Sequence, residues 1–259
     1  MAAGKPIAAI PTARQLASKV KSQRLASSAR WALVISVIAT IAVYRLPPLQ
    51  FLAYPLILLS TLVHEMGHGM GALLSGGQFD SFHMHGDGSG VAHVLPESFF
   101  GAAFECAAGL VGPPLIGALY FVVGRRASIA RLALAGTGLF FALSVVLWVR
   151  GAFGIGFTAV VATVCIAIAW KASAETARVV LLFLGTQLAL ATFASSDYLF
   201  TDYVSGEMTG GAIAPSDVKI MEMAIGGPYW FWGLVCAVFS VAVLALGAWL
   251  YLRRATAVK

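Results

Sequence analysis

Charge is the scarcest property of this sequence. Of its 259 residues only 11% are charged while 59% are hydrophobic, a balance that excludes an ordinary soluble domain. Cysteine is nearly absent as well. Cys106, Cys165 and Cys236 lie far apart within apolar runs, which argues against a disulfide framework or a zinc ribbon and leaves them as small hydrophobes. There are only five histidines, all between positions 64 and 93. No small-residue cleavage site follows an apolar stretch of the right length near the start, so no cleavable signal peptide is expected. Internal repeats, low-complexity tracts and a second soluble domain are also missing.

What the chain does have is hydrocarbon. Apolar runs of the roughly 20 residues needed to cross a bilayer begin near Phe51, Ser98, Ser128, Gly151, Val179 and Trp230, and a shorter one covers Trp31 to Tyr44. The expected fold is an all-α polytopic membrane protein of about six to seven transmembrane helices. Polar sequence is confined to residues 1–30, 75–97, 199–228 and the last seven residues. This divides the chain into a basic, flexible tail (1–30) and a single membrane-embedded domain (31–259). Within 75–97, Phe79, Ser81, His83 and His85 alternate with Asp80, Phe82 and Met84 and stop at Gly86-Asp87-Gly88, which predicts a short β-hairpin. Within 199–228, Pro215-Ser216-Asp217 ahead of an apolar-periodic stretch predicts a capped amphipathic helix.

A net charge of +6 could suggest nucleic acid. The cations, however, sit in the tail and in short loops between spans, as Lys and Arg do on the cytoplasmic side, so the expected partner is the lipid bilayer and no nucleic acid. With the N-terminus inside and all seven runs crossing, 8 Lys and Arg fall inside and 9 outside, and the bias vanishes. Some run therefore fails to cross. If 31–44 only dips into the membrane, the count becomes 15 against 2. If 98–124 is re-entrant around Gly112-Pro113-Pro114, it becomes 14 against 3. Charge alone does not choose between them.

Inside the apolar run from Phe51 stands His64-Glu65-Met66-Gly67-His68. On a helix the two imidazoles lie one turn apart on one face and can reach one ion, with Glu65 beside them. Two histidines and a third ligand leave an open position on zinc, which acidifies a water whose proton the glutamate can take. A chance His-Glu-x-x-His has an expectation of about 0.002 in a chain of this composition. A structural polar patch is the rival reading, but ionisable groups in a bilayer cost roughly 2.5 to 3.5 kcal/mol each and mark function. Gly67, Gly69 and Gly71 either admit a backbone or substrate or serve close helix packing. His83, His85 and His93 are further possible ligands, or merely exposed residues of an interfacial hairpin.

The third ligand is sought among the acids at membrane depth: Glu105, Asp197 and Asp202. In the 15-to-2 topology the runs from Phe51 and Val179 both travel outward, which puts Asp197 at the depth of the two histidines. Asp202 lies further out. Glu105 is either an alternative ligand or a partner orienting an imidazole.

These residues resemble the site-2 protease class of intramembrane zinc metallopeptidases, in particular its compact bacterial and plant branch without a PDZ domain. The resemblance is carried by "HEMGHGMGALLSGG" (64–77), "HGDGSGVAH" (85–93), "AAGLVGPPLIGAL" (107–119), "SSDYLFTDYV" and "PSDVKIMEMA", and it covers about residues 55 to 240. It implies one catalytic zinc on His64 and His68, Glu65 as the base and an aspartate from a later span as third ligand. It also implies a hairpin that presents substrate as an extended strand. The expected location is a bacterial cell membrane, as a multi-pass protein whose N-terminus the charge count puts in the cytoplasm. The chain departs from the better-known pattern in having no Leu-Asp-Gly in a late span and no asparagine in its Gly-Pro element. The activity implied is hydrolysis of peptide bonds in or next to transmembrane segments of other membrane proteins. A metal-binding transporter or sensor would use the same histidines without hydrolysis, and Glu65 discriminates because only hydrolysis needs a base beside the metal. An inactive peptidase-like scaffold is the second rival, and metal content is its check.

Overall fold

The computed structural model describes residues 20, 31, 34, 36–43, 46–194, 199–204 and 213–256. The basic tail falls almost wholly outside them. Residues 36–43 are helical, and a 3-10 segment, Pro47–Leu52, leads into the first long helix, α1 (Ala53–Leu74). The polar residues of 75–97 form the expected hairpin, β1 (Gln78–Met84) and β2 (Gly90–Leu95), paired antiparallel with a bulge between Phe79 and Ser81. Asp87 makes the turn, its Oδ1 accepting from both the N–H and the hydroxyl of Ser89, and Gly88 supplies the positive φ (+91°).

The helices α2 (Phe99–Val123), α3 (Ala127–Leu147) and α4 (Ala152–Lys171) follow, with the two-residue strand β3 (Val149–Arg150) between the last two. β3 was not foreseen. It pairs parallel with β1 at Phe82 and His83, giving a sheet ordered β2-β1-β3. Next come α5 (Ala174–Ala194), a pair of short strands β4 (Tyr203–Val204) and β5 (Ala214–Pro215), the expected capped helix α6 (Asp217–Ile225), and α7 (Tyr229–Thr256).

By length and composition four helices among the described residues could cross a membrane: α2, α3, α4 and the Tyr229–Arg253 part of α7. The expected six to seven spans are thus supported for four. α1 and α5 have 22 and 21 residues, enough for roughly 30 Å, but their apolar runs are diluted. α1 carries its histidines, glutamate and glycines, and α5 carries Glu175, Arg178, Thr186 and Gln187. Outward-facing Leu132, Leu139 and Val146 on α3 are 66–73% exposed at a seven-residue spacing, the surface expected against lipid. α2 runs unbroken through Pro113 and Pro114 for 25 residues, which removes the ground for reading 98–124 as re-entrant.

The core joins Leu58, Leu62 and Met66 of α1 to Phe82 and Met84 of β1, Leu134 and Phe141 of α3, and Leu181 and Leu188 of α5. Phe79 stacks on Trp148 at 4.9 Å and lies over Gly69, where a Cβ would sit 2.2 Å from its ring. A Cβ on Gly67 would sit 2.5 Å from the Ala108 carbonyl oxygen, and one on Gly71 2.7 Å from the Ala108 Cβ. Close packing is therefore the role of all three motif glycines. It draws α1 against α2 on one side and against the hairpin on the other. The three cysteines are buried and free, as small core residues.

Candidate metal centre

One turn of α1 separates His64 from His68, and their Nε2 atoms stand 3.1 Å apart. His64 Nδ1 lies 2.9 Å from the carbonyl oxygen of Gly109 on α2. A carbonyl only accepts, so Nδ1 carries the hydrogen and Nε2 presents its lone pair to the site. The His68 ring is held against Gly109 itself, where a Cβ would lie 2.4 Å from its Cε1 and Nε2 atoms. The tight α1–α2 contact thus fixes one imidazole by a hydrogen bond and the other by packing.

A carboxylate completes the group, and it is Asp217. Its Oδ2 lies 3.3 Å from His64 Nε2 and 3.4 Å from His68 Nε2. Asp217 is the first residue of α6, and the loop before it is tied down. The Ser216 hydroxyl donates to the Thr201 carbonyl (2.6 Å) and accepts from the Lys219 N–H (3.3 Å), while the Ser216 N–H donates to the Asp202 carbonyl (2.9 Å). Val218 and Met221 anchor α6 among Ala103, Cys106 and Leu110 of α2 and Cys236 of α7. Burial by itself would raise the Asp217 carboxyl, but the His68 and His64 rings override it and hold the group far below the usual carboxylate range.

These three residues are the group of metal-ligating side chains found among the described residues. Their ligand atoms form a nearly equilateral triangle of 3.1, 3.3 and 3.4 Å. Ligands about 2.0–2.1 Å from a tetrahedral zinc stand about 3.3 Å from one another. Asp217 Oδ2 is moreover buried without a hydrogen bond of normal geometry, which a cation in the triangle would remedy. Two imidazoles and one carboxylate suit zinc and leave its fourth position open. Glu65, next to His64 in the chain, is 7% exposed, and its Oε2 accepts a hydrogen bond from the Ala92 N–H of β2 at 2.8 Å.

The other expected candidates stand differently. Asp197 lies outside the described residues. Asp202 serves the loop, its Oδ1 accepting from the Tyr203 N–H at 3.0 Å. Glu105 is buried on α2 within electrostatic reach of His68 and Asp217, with Oε2 lacking a hydrogen bond, but it is not in the triangle. His83 and His93 meet edge to face across the hairpin, ring centres 5.5 Å apart, and neither joins the triangle. Sequence reasoning passed over Asp217 because the third ligand was sought among acids at membrane depth, whereas Asp217 was read only as part of a helix cap in a polar interval. The signal that could have found it was its loop, which the 15-to-2 topology places on the same side as the outer half of α1.

A model of the Peptidase M50B-like family matches residues 33–247. The chain belongs to this family. No curated protein and no solved structure matches it. M50 peptidases are membrane zinc metalloproteases, and the four apolar helices agree with an integral membrane protein.

Proposed function

We propose that this M50B-like protein is a zinc endopeptidase that hydrolyses peptide bonds in or next to transmembrane segments of other membrane proteins, with His64, His68 and Asp217 as ligands and Glu65 as the base. The observation that carries this reading is the triangle of three ligand atoms at zinc spacing with a buried glutamate beside it. Zinc, when bound there, supplies a Lewis acid and an acidified water. The chain's own contribution is to orient the two imidazoles through Gly109, to deliver Asp217 from a tethered loop, and to offer Glu65 as acceptor of the proton from the attacking water.

Substrate presentation fits the sheet. A helix cannot be cut while its carbonyls are bonded internally, so the substrate has to unwind. β2 is the edge strand of the hairpin and passes the Glu65 carboxylate, so an extended segment pairing along the remainder of that edge would be led to the base. Contacts of the site also support the 15-to-2 arrangement, in which the bias of Lys and Arg puts the N-terminus in the cytoplasm. That arrangement puts the hairpin, the Arg150 turn and the Asp217 loop on one side, and β1 does pair with β3 while Asp217 does meet the α1 histidines. In the 14-to-3 arrangement they would lie on opposite sides.

The test is metal content together with turnover. Purified protein should hold one zinc, and Glu65→Gln should keep it while losing cleavage of a single-span membrane substrate. Near wild-type cleavage by Glu65→Gln would reject the hydrolytic reading.

A further inference from the structure

Glu65 is held from a direction that the hydrolytic reading leaves unused. Phe82 donates its N–H to the Trp148 carbonyl (2.8 Å), toward β3, so its backbone groups point away from β2. Its cross-strand partner Ala92 is then in a non-hydrogen-bonded pair, and the Ala92 N–H turns to the open edge of the sheet. There it donates to Glu65 Oε2 at 2.8 Å. The strand is pressed against α1 to make this contact. Gly90 has no side chain at the point where a Cβ would lie 2.8 Å from Thr61 Cγ2 and 2.9 Å from Glu65 Cγ. The turn is moored to the same helix, Thr61 Oγ1 donating to the Gly88 carbonyl (2.8 Å) and the Tyr54 hydroxyl to the Gly86 carbonyl (2.6 Å).

We propose that the backbone N–H of Ala92 is a positioning group for Glu65: it fixes Oε2 and so reserves Oε1 for the proton of the attacking water. The inference rests on the peptidase reading of Glu65. A base must be held within a fraction of an ångström of its productive position, and a carboxylate anchored through one oxygen has lost the rotations that would carry the other away. Because the donor is main chain, the contact to Glu65 depends on the N–H and not on the side chain at position 92, which packs against the core and which serine changes least. Proline lacks that N–H, and at an edge position outside the ladder it removes no strand-pairing bond.

The experiment uses the zinc-loaded full chain in liposomes and, as probe, a fluorophore–quencher polypeptide with one transmembrane segment that the wild type cleaves. Ala92→Pro should lower kcat by about 10- to 100-fold with KM little changed and zinc content intact, and Ala92→Ser, which keeps the N–H, should recover the rate. A wild-type kcat in Ala92→Pro, an equal loss in Ala92→Ser, or a loss confined to KM would each overturn the proposal, the last by making the edge a substrate-docking element alone. Should Ala92→Pro fail to fold, amide exchange at Ala92 decides: protection should fall by about 10-fold or more in Glu65→Ala, and unchanged protection would overturn the contact. The two readings fail separately. An active Glu65→Gln rejects the peptidase, whereas an inactive Glu65→Gln beside a fully active Ala92→Pro rejects only the positioning role.

Discussion

The candidate centre is built from two helices of contrasting kind. α1 has 22 residues and places two histidines and a glutamate within five positions, so its half of the site is set by helical geometry alone. α6 has nine residues, too few to be stable in isolation, and its Asp217 comes from 149 positions beyond His68. Its place depends on the Ser216 hydrogen bonds and on Val218 and Met221 packed against α2 and α7. One half of the site is a local motif and the other a product of tertiary packing.

The largest expected effect tests whether these halves serve one ion. His64→Ala and His68→Ala should each abolish stoichiometric zinc, and Asp217→Ala should weaken zinc by at least about 100-fold, the upper range for loss of even an outer partner. Asp202→Ala and Asp197→Ala should do far less. Zinc titration of the five variants checks this. Full occupancy in both histidine variants would sink the site, and a larger loss in Asp197→Ala than in Asp217→Ala would dissolve the comparison between α1 and α6.

How much could be read beforehand follows the same division. His64, Glu65 and His68 were legible because helical spacing alone makes them neighbours. So were the hairpin, from its alternation and the Gly-Asp-Gly turn, and α6, from its cap. Asp217 was visible as a helix start but not as the partner of the two histidines. Depth along the membrane was the only long-range coordinate the sequence offered, and depth orders residues inside spans and says little about a loop that folds back. β3 escaped for a related reason: two residues at the end of a long apolar run carry no periodicity, and only Phe82 and His83 across the gap make Val149 and Arg150 a strand. The motif glycines were ambiguous between substrate access and packing until Phe79, Glu105 and Ala108 were seen to occupy the space beside them.

A smaller effect should come from the packing that orients the α1 half. In Gly109→Ala the new methyl would stand 2.4 Å from the His68 ring, so the imidazole has to move. Zinc affinity should fall by about 10- to 100-fold, as for other losses of ligand orientation. Gly136→Ala, where a Cβ meets nothing within 4 Å, is the control and should bind zinc as the wild type does. Equal affinities in the two variants would mean that His68 is not held by α2.

The smallest effect should fall on the α6 half, and it measures how much of that half rests on one hydroxyl. Ser216 caps α6 through the Lys219 N–H and ties the loop to the Thr201 carbonyl, so Ser216→Ala removes both contacts one residue away from the ligand. The helix should survive. Val218 and Met221 remain buried, Lys219 and Glu222 remain paired at 2.7 Å, and the Glu222 carboxylate still accepts from the Tyr229 N–H at 2.8 Å. What is lost is the fixed entry of the chain into α6. An N-cap contributes about 1 kcal/mol, so zinc affinity should fall by about fivefold, with Ser216→Thr losing less because its hydroxyl can still cap. Isothermal zinc titration resolves such a difference. A loss as deep as that of Asp217→Ala would show that the cap holds the whole of α6 in place, and no loss at all would show that packing of Val218 and Met221 suffices to deliver Asp217.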